Sequence, residues 1–300
     1  MLSIKPHLWF DKQAKEAAEF YTTLMPDSAI SFVNQLHNTP SGDCDIAEFT
    51  IAGQPFMAIS AGSLFKFNPS ISFMINFDPS HNPDAARLID EVWSKLADGG
   101  TVMMPLDRYP FSERYGWVAD KYGVSWQLIL TNPAGEPRPV IIPSMMFTGA
   151  VAGKAEEAID FYCSVFKDSK RGTTASRPED MGPDKAGTLL FADFYINQTW
   201  LAAMDSAHNH GFGFNEAVSL LIECETQEEI DYYWSALSAD PKAGQCGWLK
   251  DKYGVSWQIS STFMSEVLKS GTPQQIDRVT QAFLPMKKFD MAALQKAYQG

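Results

Sequence analysis

Residues 116–128 read GWVADKYGVSWQL, and the chain repeats them at 247–259 as GWLKDKYGVSWQI. Three aligned positions differ, and two of those exchange one aliphatic side chain for another. A string carrying two Trp, a Tyr and two Gly in fixed order does not recur through composition, so the chain is an internal duplication.

Working outward, further matches follow in the same order. Ala14, Ala17, Ala18, Tyr21, Leu24 and Met25 form an amphipathic helical stripe, and Ala155, Ala158, Ile159, Tyr162, Val165 and Phe166 repeat its spacing. AEFTIAGQPFMA (47–58) parallels ADFYINQTWLA (192–202), each reading as a hairpin broken at Gly or Asn. FKFNPSISFMINF (65–77) parallels FGFNEAVSLLIEC (212–224), with Phe-x-Phe-Asn leading into a strand. A second helix follows in each half, around Trp93 and Trp234, and the repeated string closes each half with a strand. Each half therefore reads as a βαβββ unit and a second, less regular one. The expected domains are 1–132 and 144–263, joined by a proline-rich linker at 133–143 and followed by a helical tail at 264–300.

The 300 residues suit two domains, with 45% hydrophobic and 20% charged residues. A net charge of −12 argues against a nucleic-acid partner, which needs clustered Lys and Arg. No apolar run reaches the roughly 18 residues of a membrane span, and MLSIKPHLWFDK lacks the pattern of a secretory signal. Cys44, Cys163, Cys224 and Cys246 lie far apart, without metal-type spacing, and read as reduced thiols. The expectation is a cytoplasmic protein.

Side chains two apart share a strand face. Leu8/Phe10, Phe49/Ile51, Ile71/Phe73/Ile75 and Val124/Trp126/Leu128 form an apolar set suited to helix packing. The opposite set in the first half is His7/Trp9, Glu48/Thr50, Ser72/Met74/Asn76 and Ser125/Gln127. The same parity in the second half gives Ser144/Met146, Asp193/Tyr195, Ser219/Leu221/Glu223 and Ser256/Gln258/Ser260. Polar and aromatic residues on that second face suggest a curved sheet lining a cleft. The single-copy segment 107–115, with Arg108, Tyr109 and Arg114, reads either as a clamp on an anionic or aromatic ligand or as a surface ion-pair network.

Paired βαβββ units, an opening helix ending in Phe-Tyr, and the closing Gly-Trp…Asp-Lys-Tyr-Gly-x-x-Trp-Gln resemble the vicinal oxygen chelate (glyoxalase/bleomycin-resistance/dioxygenase) superfamily, and within it the PhnB-like family. The tail MKKFDMAALQKAYQG is similar to tails of that family. The resemblance implies an α+β fold of tandem glyoxalase-like domains packed as an internal pseudo-dimer, with a homodimer as a further option. In metal-dependent members, four strand positions around the cleft supply the ligands. By strand order these are His7, Glu48, Ser70 or Ser72, and Gln127 in the first half, and Ser144, Asp193, Ser219 and Gln258 in the second.

One His and one carboxylate make a poor site, so no cofactor is expected, a divalent metal at His7, Glu48 and Gln127 being the weaker alternative. His208 and His210 read as a solvated loop. The methyltransferase label borne by some members finds no support. The one GxG, Gly211-Phe212-Gly213, precedes a strand rather than following one. The expectation is small-molecule binding in a first-half cleft lined by His7, Trp9, Glu48, Ser72, Met74, Arg108, Tyr109, Arg114 and Gln127, with Asp193, Tyr195 and Gln258 as second-half counterparts. A metal-dependent lyase, isomerase or dioxygenase is the alternative.

Overall fold

The computed structural model describes residues 4–132 and 137–300. The first half runs β1 (Ile4–Phe10), α1 (Ala14–Tyr21), β2 (Ala29–Thr39), β3 (Gly42–Ile51), β4 (Gln54–Ser60), β5 (Ile71–Phe77), α2 (Ala85–Ala97), β6 (Thr101–Tyr109), β7 (Ser112–Ala119) and β8 (Ser125–Leu130). The second runs β9 (Ile141–Phe147), α3 (Ala155–Val165), β10 (Ser169–Ser176), β11 (Leu189–Ile196), β12 (Thr199–Asp205), β13 (Val218–Cys224), α4 (Gln227–Leu237), β14 (Trp248–Lys250) and β15 (Ser256–Ser261). Helices α5 (Thr262–Ser270), α6 (Pro273–Phe283) and α7 (Met291–Gln299) form the tail.

The strands make two sheets, and each mixes the halves. One has the order β14-β15-β13-β1-β4-β3-β2, the other β10-β11-β12-β9-β5-β8-β7-β6. The first unit of each half is thus completed by the second unit of the other half. The seams are antiparallel: β1 joins β13 with His7 opposite Ser219, and β5 joins β9 with Ser72 opposite Ser144. The linear order suggests a sheet confined to one half, whereas each sheet here draws strands from both. β1 and β9 share Ile, Pro and Phe at matching positions (Ile4/Ile141, Pro6/Pro143, Phe10/Phe147), so both arrangements satisfy a similar apolar pattern.

The apolar strand faces behave as the alternation requires. Leu8, Phe49, Phe73, Trp126 and Leu128 are wholly buried, and one hydrophobic core runs through both halves. The duplicated string builds its turn around a buried carboxylate. Asp120 accepts from Tyr21 Oη (2.7 Å), Trp126 Nε1 (2.8 Å) and the backbone N–H groups of Tyr122 and Val124. Asp251 repeats this with Tyr162 (2.7 Å), Trp257 (2.9 Å), Tyr253 and Val255. Gly123 and Gly254 close the two turns at φ of 90° and 85°, a region that glycine enters without a Cβ penalty.

β9 begins at Ile141, inside the stretch read as linker. Its Pro143 lies opposite Phe73, as Pro6 of β1 lies opposite Leu220. One of the four prolines that suggested a linker is thus part of the duplicated strand, and positions 133–136 of the expected linker lie outside the described residues.

Candidate functional site

The seven-stranded sheet supplies a floor. Lys5, His7 and Trp9 share one face of β1, and Leu8 and Phe10 point to the core. His7 lies opposite Met57 of β4, which lies opposite Glu48 of β3. On the other side His7 faces Ser219, whose hydroxyl accepts from Gln258 Nε2 at 2.9 Å. Gln258 in turn faces Trp248 of β14.

The tail roofs this floor. Met264, Leu268, Phe283, Leu284 and Phe289 close a cavity of about 430 Å³ against His7, Trp9, Met57, Leu221, Trp248 and Gln258. The roof is tied down by backbone hydrogen bonds from Cys246 to Met286 and from Gly247 to Lys287, both 2.7 Å, and by Asn34 donating to the Leu268 carbonyl. Leu64 and Phe65 stand at the rim, with Leu64 75% exposed.

The lining is mainly apolar. Trp9 donates to the Gly62 carbonyl at 2.7 Å and meets Phe65 and Trp248 edge-on, with centroids 5.0 and 5.9 Å away. His7 is 3% exposed and packs edge-on to Trp248. Burial drives its pKa down to about 3, so the ring is neutral. Its Nδ1 is buried without a hydrogen-bond partner among the described residues. Glu216 at the wall is paired with Lys250 at 2.8 Å.

Beside this cavity Lys5 Nζ bridges Glu48 and Glu223, each at 2.8 Å, and Ser265 of α5 donates to Glu223. Burial alone would lower the Lys5 pKa, but the two carboxylates outweigh it and raise it. This cluster bears on whether a divalent metal fits here. Glu48 already holds an ammonium group, and Gln127 is in the other sheet. His7, Glu48 and Gln127 therefore do not converge, and among the described residues no three His, Cys, Asp or Glu side chains group as a metal site. The donors present do not fit a divalent cation.

The remaining sequence candidates belong to the eight-stranded sheet. There Gln127 donates to Ser72 at 2.5 Å and accepts from Tyr115 at 2.7 Å, and Met74 is buried. Asp193 accepts from Arg138 Nε (2.7 Å) and from the Thr173 N–H (2.6 Å), and Arg138 stacks on Trp200 at 3.8 Å. Tyr195 packs on Trp200 at 5.6 Å. Arg108 pairs with Glu113 within the hairpin and Arg114 with Asp90 of α2, while Tyr109 donates to the Pro105 carbonyl, so these side chains are engaged in local contacts and are not among the cavity residues. His208 lies 3.6 Å from Asp184, and His210 is hydrogen-bonded to Ser206.

Of the sequence candidates, the cavity thus gathers His7, Trp9 and Gln258, with Glu48 behind them at Lys5. Sequence reasoning missed Trp248, which the doubled string displays beside Gly247, and the roofing residues of the tail. It also missed Arg138, for which the proline-rich segment offers no signal.

A family model described as 3-demethylubiquinone-9 3-methyltransferase matches the chain twice, over residues 2–129 and 139–260. Among solved structures, a PhnB protein from Bacillus cereus is 39% identical, with 42% of this chain and 98% of that one covered and a TM-score of 0.38. Glyoxalase I from Zea mays is 14% identical over 90% of this chain and 98% of its own, with a TM-score of 0.53, a likeness of fold alone. The fosfomycin resistance protein FosX from Listeria monocytogenes is 14% identical, with 42% of this chain and 90% of that one covered and a TM-score of 0.30. No curated protein matches the chain.

Proposed function

The chain belongs to the PhnB-like family of the glyoxalase/bleomycin-resistance superfamily, and from that premise we propose that it binds a small molecule in the cavity between the seven-stranded sheet and the C-terminal helices. The observation that carries this reading is the cavity itself. It encloses about 430 Å³, has an apolar lining, and sets His7 and Gln258 on its floor. The methyltransferase description remains a family name. Both sheets are mixed, and the Gly211-Phe212-Gly213 turn leads into β13 instead of following a strand into a helix. No step through a metal is assigned, because the donor set does not fit one.

A thermal-shift screen of small aromatic, phosphonate and 1,2-dicarbonyl compounds, with and without added divalent cation, tests this. The expected result is stabilisation by at least one compound, independent of metal, and lost when the cavity is filled by Leu221→Trp or Ser260→Phe. Stabilisation that requires the metal and disappears in His7→Ala, or no stabilisation in any condition, overturns it.

A further inference from the structure

We propose that the ligand of this cavity is an uncharged aromatic molecule, its ring against Trp9 and Trp248 and a hydroxyl or carbonyl edge turned to His7 and Gln258. This inference rests on the cavity being the binding site.

Charge is the first ground. Among the described residues no Lys or Arg lines the cavity, and its one carboxylate, Glu216, already holds Lys250. An anion entering here would lose its water and meet no counter-charge, and a cation would compete with an existing ion pair. Shape is the second. Trp9 meets both Phe65 and Trp248 edge-on, an arrangement that a further planar ring extends at low entropic cost.

The floor is the third ground. His7 is a buried imidazole whose Nδ1 lacks a partner, and Gln258 gives its amide N–H to Ser219 and keeps a carbonyl as acceptor. The cavity is mainly apolar, with Thr39, Ser41, Gln245, Ser260 and Ser265 as its other uncharged polar residues, and the polar edge at His7 and Gln258 orients a ligand and disfavours one that lacks the matching group.

Calorimetry with 1-naphthol, 1-naphthoate, 1-naphthylmethylammonium and naphthalene at neutral pH separates the classes. The expected order is 1-naphthol at least about tenfold tighter than either ion. Naphthalene should be weaker than 1-naphthol, and His7→Phe should remove that difference. All binding should vanish in Leu221→Trp or Ser260→Phe, whichever keeps the native circular dichroism. If an ion binds as tightly as 1-naphthol and the filled variants abolish it, the uncharged class is wrong and the site stands. If none of the probes binds, or binding survives in both filled variants, the site and the class both fail.

Discussion

His7 and Ser219, separated by most of the chain, lie directly opposite each other across the antiparallel seam of β1 and β13. Through Ser219 the row continues to Gln258 at 2.9 Å, so the floor of the cavity belongs to both halves. Neither half can form this cavity with its own strands.

That seam should govern assembly. Residues 1–132 made alone would leave β1 and β5 without their partners β13 and β9. Two copies can restore both seams by pairing β1 of each with β5 of the other. The expected product is a dimer by light scattering, and a folded monomer would contradict the arrangement.

His7 should leave a mark on acid stability. Its ordinary pKa of 6.5 applies in the unfolded chain, whereas burial lowers it to about 3 in the fold. Between those values the unfolded chain binds a proton that the native protein does not, so stability falls as pH drops through this window. The slope is up to about 1.4 kcal/mol per pH unit. His7→Phe should flatten it in urea titrations at several pH values, and an unchanged slope would contradict a buried neutral imidazole.

Lys5→Met should leave Glu48 and Glu223 buried without their cation and cost about 3 kcal/mol of stability. Because the folded pKa of Lys5 is raised above 10.5, its contribution is fully present below that value. It is lost only as pH rises through the higher folded value. The gap between wild type and variant should therefore hold across neutral and mildly alkaline pH and close above it, which chemical denaturation can follow.

Asp120→Asn and Asp251→Asn should each cost about 3 kcal/mol, and by similar amounts, since each turns an amide toward four donors in matching surroundings. Thermal unfolding of the two single variants checks this. A large effect in one half alone would show that the duplicated turns are not equivalent.

Much of this was legible in the sequence. The doubled string identified two copies of one fold, and two-residue alternation separated Leu8 and Phe10 from His7 and Trp9 correctly. What alternation cannot decide is which β1-like strand joins which β5-like strand, because β1 and β9 share their pattern through Pro6 and Pro143. That ambiguity hid the pairing of His7 with Ser219 and of Ser72 with Ser144. The helical periodicity of the tail was readable, but an amphipathic stripe does not name what it covers. Lys5 was hidden for another reason: only the fold brings Glu48 and Glu223 to it from strands far apart in the chain.

The most direct measurement is a crystal structure of the full chain soaked with 1-naphthol. The expected density lies beneath Phe283 and Phe289, with the ring at Trp9 and Trp248 and the hydroxyl at His7 and Gln258. Density on the Ser144 and Gln127 sheet instead, with this cavity empty, would contradict the account.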